Sequence, residues 1–577
     1  MGHKLKSGWH RVNGKGHVFC HCHIPDSSIT SGIGIILISP IGPEYMFTYR
    51  TLRSLSERLA DLGFHVLRYD HLGMGSSEFD LYRKDILSDW SESLSQLTDN
   101  FKSSYKLTNI NHLCIRSGSI ILTEYLKTNR TSNAIYWFPY PNGKSWVRDM
   151  EVMSNGVKDM DGSIDALGYP LTQLNAERIS SLDLKKSSML IDDKILLIED
   201  SASLPNKSLH EALSNQADFI LDRMEGMKEL LNVVSYSKVP RHILDQLCGW
   251  LTKNSPSLDD KSLDNASSDN DSFISSTFSN SQFSESVYNS SEGSIFGITT
   301  KPNNQEIAHM VVLVNAGSGH QVGPNRINVF LARSLAKLEI ASIRIDLKHL
   351  GDSASYDESS QLNPFVINKN MDIDFVIKDI DKLYNVPITL VGLCSGAHNQ
   401  FHAALNSQSL NIKQLVLINP INFYYRVGQS FEASDVAREE VAQKSYQQNF
   451  ANSKKWISLL KNPRKILSII ATIFRIFNNK FISVYKKISS KLGVKNYSQL
   501  DKDLLSLVQR HINIHLICSD SDPGIQIISK QAPLFKEENI DTDRYKVISI
   551  PNSNHNFTDS ESMNQLLSRL SELLRVN

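Results

Sequence analysis

The 577-residue chain has no net charge: 61 Lys and Arg balance 61 Asp and Glu. A neutral chain has no general pull toward nucleic acid, and none is expected as a partner. No stretch reaches the roughly 18 consecutive apolar residues of a spanning helix. The opening residues, Met1-Gly2-His3-Lys4-Leu5-Lys6, lack the apolar core of a secretion signal. Cysteine is scarce, with six scattered along the chain. That argues against a disulfide framework and for a reducing cytoplasm. Cys20-His21-Cys22-His23 looks metal-like. Alternating strand residues point to opposite faces, so the four cannot converge on one ion. Neither a metal nor a cofactor is expected.

The length calls for at least two domains. The two halves repeat. Arg68-Tyr69-Asp70 and Gly75-Ser76-Ser77 recur 276 positions on, as Arg344-Ile345-Asp346 and Gly351-Asp352-Ser353. Leu55, Leu59 and Ala60 recur as Leu331, Leu335 and Ala336 at the same offset. Each half opens with an apolar strand, a glycine-containing loop, a helix, a second strand and a Gly/Asp/Ser turn. Continuous apolar strands alternating with helices predict doubly wound, mainly parallel sheets. Residues 255–292 are dense in Ser, Asn and Asp and read as a connector. The expected organisation is a degenerate domain over 1–254, a linker over 255–292 and a second domain over 293–577, with a lid at about 421–500.

Chemistry concentrates in the second half. Gly392-Leu393-Cys394-Ser395-Gly396 follows the apolar run Ile388 to Val391 and precedes a helical stretch, Ala397 to Leu405. This is a strand–elbow–helix nucleophile motif with cysteine in place of serine. The glycines leave room for the turn, and the helix start offers N–H groups to an oxyanion. A nucleophilic cysteine needs a base, and the base an orienting acid. The strand at His515–Cys518 opens into Ser519-Asp520-Ser521-Asp522-Pro523-Gly524, which makes Asp522 the first choice of acid and Asp520 the second. The last strand, Tyr545–Ile550, leads to His555 in the loop before a closing helix, where the base belongs. The oxyanion donors are expected from Ser395 N–H and from the loop after the half's first strand, with Ser318 preferred over Gly317.

The first half carries the same layout around Cys114-Ile115-Arg116-Ser117-Gly118. Arg116 stands at the nucleophile position and is always protonated, so it cannot attack a carbonyl. No histidine lies in the late loop near 233–240, and His242 falls beyond it, inside a predicted helix. This half reads as catalytically silent, with Arg116 in an ion pair or, alternatively, holding an anionic ligand.

These residues resemble a family. With its Gly-Leu-Cys-Ser-Gly-Ala elbow, Asn315-Ala316-Gly317, Val322 to Arg326 and Arg344 to Ser353, the second half resembles α/β hydrolases. The first half, on its Arg116 elbow, Pro139 to Arg148 and Gly168-Tyr169-Pro170-Leu171, resembles partner hydrolases of exosortase and exopolysaccharide loci. Lys348-His349-Leu350 departs from a turn that is usually small and contains glycine. The resemblance implies two tandem α/β-hydrolase domains and hydrolase-like chemistry, without naming a substrate. The expected activity is hydrolysis or transfer of an ester or thioester acyl group through a cysteine acyl-enzyme. The competing expectation is a non-catalytic scaffold. Residues 451–495 add at least ten Lys or Arg, no Asp or Glu, and many bulky apolar residues. They read as a lid helix, or as a segment that lies on an anionic membrane surface.

Overall fold

In the computed structural model, the residues described are all but 1, 155–161, 188, 233–237, 256–272, 304–305, 354–362, 366–368, 426–496, 536–542 and 576–577. The expected lid and the basic segment therefore lie outside the described residues. The chain forms two compact units: Met1–Leu362 with Asn556–Asn577, and Asn363–His555.

The first unit holds an eight-stranded sheet. Its strands are β1 (His3–Val12), β2 (Gly16–Pro25), β3 (Ile33–Ile38), β4 (His65–Tyr69), β5 (Asn109–Ile115) and β6 (Arg130–Trp137). A small hairpin, β7 (Ile164–Ala166) and β8 (Tyr169–Leu171), precedes β9 (Leu190–Asp200) and β10 (Asp218–Met224). The order is β1-β2-β4-β3-β5-β6-β9-β10, antiparallel through β1, β2 and β4 and parallel from there on. β3 is buried at every position, as a parallel strand covered on both faces must be. The helices Glu44–Asp61 and Gly118–Tyr125 follow β3 and β5.

The same unit contains β11 (Thr277–Ser279), β12 (Phe283–Asn289), β13 (Phe296–Pro302), β14 (Met310–Val314) and β15 (Ala341–Ile345), paired β11-β12-β13-β15-β14. The expected connector at 255–292 is thus corrected: two antiparallel strands lie inside it. Phe278 and Phe283 join Trp9, Phe19, Phe296 and Ile298 in one buried cluster. Burying each aromatic contributes roughly 1.5–3 kcal/mol, enough to fix a Ser-rich strand in place.

The turns after β4 and β15 reproduce each other residue for residue. Ser76 N–H donates to Asp70 Oδ2 at 2.7 Å, and Asp352 N–H to Asp346 Oδ2 at 2.9 Å. Gly75 has φ 50° and Gly351 φ 48°; a Cβ on either would stand 2.1 Å from an atom of the aspartate side chain. Gly73 has φ 80°, and its counterpart His349 takes φ 66°, so the Lys-His-Leu departure leaves the turn shape unchanged.

Each turn is gripped by a helix from the other half. Arg53, on Glu44–Asp61, donates to the Gly351 and Ser353 carbonyls. Arg333, on the helix Ile327–Ala336, donates to Ser76 and Ser77 carbonyls at 3.0 Å. Arg68 pairs with Asp352 at 2.8 Å, and Glu285 lies fully buried against Arg333 and Arg344. Burial works against the Glu285 charge, but the two arginines outweigh it and hold its pKa below the usual value.

The second unit contains β16 (Ile388–Leu393), β17 (Ile412–Ile418), β18 (Asn513–Ser519) and β19 (Tyr545–Ile550), all parallel and adjacent in that order. The loops that carry Cys394, Asp522 and His555 leave the C-terminal ends of these strands.

Candidate active site

Strand β16 ends in the turn that the elbow motif requires. Cys394 has φ 59° and ψ −116°, and the helix Ser395–Asn406 starts at the next residue. Such a φ is costly for a residue with a Cβ and must be held by its surroundings. Cys394 N–H donates to the Ile418 carbonyl at 2.9 Å, which ties the turn to β17. A Cβ on Gly392 would stand 2.3 Å from the Gly396 backbone, so only glycine lets strand and helix approach this closely. The other five cysteines are buried and Cys394 is half-buried. Ser395 is buried at the first position of the helix.

Asp522 and His555 meet. His555 Nδ1 and Asp522 Oδ2 are 2.5 Å apart, and Gly524 N–H donates to Asp522 Oδ1 at 3.0 Å. Both carboxylate oxygens are engaged, and Asp522 is buried. Burial disfavours the charge of the His555 imidazole, but the Cys394 sulfur and the Asp522 carboxylate outweigh burial and push its pKa up to about 10.

Asp520, the second choice of acid, does other work. Its carboxylate accepts from Asn552 N–H at 2.9 Å and Ser553 N–H at 3.2 Å, so it braces the acid loop against the histidine loop. A second brace, Asn419, escaped sequence reasoning. It follows β17 with φ 43°, fully buried. Its Nδ2 donates to the His555 carbonyl at 2.8 Å and its Oδ1 accepts from Ser519 N–H at 2.8 Å. A lone polar residue just past an apolar strand, before Pro420, was the available signal.

Ser318 lies in the first unit, in the turn after β14, and is buried. Gly317 has φ 59°. The Asn315 side chain donates to the Gly317 and Gly319 carbonyls at 3.4 and 3.2 Å and accepts from Leu347 N–H at 3.2 Å, so the turn is pinned from below.

The first-half elbow has the same backbone. Arg116 has φ 52°, and its N–H donates to the Trp137 carbonyl at 3.0 Å. Its guanidinium pairs with Glu44 at 2.9 Å, donates to the Phe138 carbonyl at 3.1 Å and lies 4.3 Å from the Tyr140 ring centre. His242 sits in the helix Arg241–Asn254 and bonds the Glu225 carbonyl at 2.6 Å.

The Cys-His-Cys-His run divides as strand alternation predicts. Cys20 and Cys22 belong to a core cluster, while His21 faces Asp352 at 3.2 Å and His23 accepts from Arg68 at 3.3 Å. Among the described residues no cluster of His, Cys, Asp or Glu could hold a metal, and no helix is long and apolar enough to cross a membrane.

The strand order of the eight-stranded sheet, with an elbow after β5, is that of the α/β-hydrolase fold. No protein-family model and no curated protein matches the chain. Among solved structures it is similar to Est1E from Butyrivibrio proteoclasticus with ferulic acid bound: 16% identity over 42% of this chain and 96% of that one, TM-score 0.33. A dienelactone hydrolase from Anabaena variabilis shares 13% identity over 50% and 96%, TM-score 0.30. An alpha-beta serine hydrolase homologue from Coxiella burnetii shares 13% over 50% and 96%, TM-score 0.29. Likeness at this level carries no information about substrate.

Proposed function

We propose that the second half of the chain catalyses acyl transfer from an ester or thioester, to water or to another acceptor, through a cysteine acyl-enzyme. One observation carries the reading: the His555 imidazole bonds a buried carboxylate, and the sulfur of the half-buried Cys394 is near enough to favour its charge. Cys394 attacks the carbonyl carbon. The oxyanion is held by Ser395 N–H, with Ser318 N–H proposed as the second donor. His555 gives a proton to the leaving thiolate or alkoxide and the carbonyl re-forms. His555 then takes a proton from water or an acceptor, which attacks the acyl-enzyme and releases Cys394. Asp522 keeps the imidazole oriented and balances its charge. A thiolate beside a histidine exchanges readily with thioesters, so a carrier-bound or small thioester is the preferred donor.

The wider reading is two tandem α/β-hydrolase units, the first silent. Along the chain, β1–β6 and β12–β17 run through the same succession of strands and helices. Residues 451–495 are proposed to cover the acyl site or to touch an anionic membrane from the cytoplasm. The test of the catalytic reading is mass spectrometry of the protein after incubation with a panel of acyl-thioesters. An acyl adduct on Cys394, absent from Cys394→Ala, supports it. No adduct from any member, with the protein folded, would leave the scaffold role.

A further inference from the structure

The loop after β14 is held by the first half of the chain. Tyr45 and Tyr49, on the helix Glu44–Asp61, close on His320. The Tyr45 hydroxyl donates to Asp70 Oδ1 at 2.6 Å. That uses its one proton, so the 3.2 Å contact with His320 Nε2 is a bond that the imidazole donates. Burial pushes the His320 pKa down to about 4, so the ring is neutral and this bond takes its single N–H. The Tyr49 ring stands edge-on to the imidazole, with ring centres 3.9 Å apart. One residue on, Gln321 Nε2 donates to Ser76 Oγ at 3.0 Å. Ser76 N–H in turn donates to Asp70 Oδ2. The two oxygens of one first-half carboxylate thus lead, through Tyr45 and Ser76, to two successive residues of the second half's loop.

Tyr45, Asp70, Ser76, His320 and Gln321 are all buried. A buried carboxylate is costly unless donors meet it, and a buried polar network stiffens a structure when its members are satisfied. Asp70 has its donors, and they are the groups that hold the loop. Met46, next to Tyr45, lies against Gly319, where an added Cβ would stand 2.9 Å from the methionine Cε. Between these holds and Asn315 sits the peptide that joins Gly317 to Ser318. Its carbonyl accepts from Asn315 Nδ2. A peptide unit is planar, so fixing the carbonyl aims the Ser318 N–H the opposite way. Releasing His320 and Gln321 would leave that plane held from one side only.

We propose that the first half is a positioning partner of the second: Tyr45 and Ser76 hold the loop at His320 and Gln321 and so keep Ser318 N–H aimed at the oxyanion. This role rests on the acyl-transfer reading. Two reactions of Cys394 separate it from general damage. Attack on a thioester carbonyl builds an oxyanion, whereas alkylation by iodoacetamide displaces iodide from a saturated carbon and builds none. Both adducts are timed by mass spectrometry on the full chain, with the acyl-thioester that loads Cys394 fastest. Tyr45→Phe should slow acylation about tenfold and leave alkylation within about twofold. Ser76→Ala, which keeps the backbone N–H on Asp70, should do the same. Tyr45→Phe combined with His320→Phe should lose no more than the larger of the two single losses. Circular dichroism reports that each variant is folded. Unchanged acylation in both folded single variants would overturn the proposal and leave the acyl-transfer reading standing. An equal fall in both reactions would overturn it as well, and so would losses that add in the double variant. If no thioester acylates Cys394 in the unmodified protein, the acyl-transfer reading and this role fall together.

Discussion

The elbows at Arg116 and Cys394 share a backbone and differ in what stands at the tip. Their φ angles are 52° and 59°, and each N–H bonds a carbonyl of the next strand in its sheet. At Cys394 the tip is a thiol beside an imidazole. At Arg116 it is a guanidinium locked to Glu44, over a tyrosine ring. The strained turn is kept in the half whose tip is a paired guanidinium. A turn that also joins a strand to a packed helix cannot relax without moving both, so its cost is retained for packing reasons.

The largest expected effect is on the Cys394 elbow. Cys394→Ala should lower acyl transfer on the order of 10³-fold or more, and Cys394→Ser should leave a residue of activity, both with unchanged melting temperature. Steady-state rates with the best thioester would check this. Retention of the rate in Cys394→Ala would erase the contrast between the elbows.

Asp522→Asn comes next, with a loss of roughly 10²–10⁴-fold. Its pH signature is specific. His555 is raised from 6.5 to about 10, so its charge adds stability that is fully present below pH 6.5 and lost as pH rises through about 10. Iodoacetamide labelling of Cys394 should therefore stay assisted by the charged imidazole until near pH 10. In Asp522→Asn that alkaline edge should move down. An unmoved edge would show that Asp522 does not set the histidine's charge.

Asn419→Gly should cost about tenfold in rate and shift the same edge, because the glycine accepts φ 43° while both loop bonds vanish. A change in melting temperature alone, with the edge in place, would make Asn419 a purely structural brace.

The smallest effect on catalysis is expected at the Arg116 elbow. Arg116→Ala should change turnover less than about twofold and yet destabilise the fold by roughly 3–5 kcal/mol, since it removes one partner of a buried ion pair. Adding Glu44→Gln should recover part of that loss in denaturant titrations. A large loss of activity in a folded Arg116→Ala protein would bring the first half into the chemistry.

What could be read from the chain follows the range of the interactions. The elbow is local: glycine, nucleophile and apolar run lie within ten residues, and so does the Asp70 to Ser77 turn that repeats at Asp346 to Ser353. The choice between Asp520 and Asp522 is not local. Both sit in one loop, and only the positions of Asn552, Ser553 and His555 separate the brace from the histidine's partner. Strands β11 and β12 were hidden by composition. Phe283, Glu285 and Val287 alternate as one face of a strand, but a buried glutamate reads as a break until Arg333 and Arg344 are known to meet it. Asn419 leaves only a local hint, a polar residue between an apolar strand and Pro420, because the partners that define its role are 100 and 136 residues away.

The aromatic cluster that joins Trp9 and Phe19 to Phe278 and Phe283 has a consequence during synthesis. At 5–20 residues per second, roughly 13–54 s pass between the appearance of Trp9 and that of Phe278. Through that interval the apolar face of the first two strands has emerged without its cover. The helix Ser560–Arg575, which belongs to the same compact unit as Trp9, is made later still. Slow codons between the halves would lengthen that exposure. Ribosome-bound chains arrested before residue 270 should be more protease-sensitive in β1 and β2 than chains arrested after residue 300.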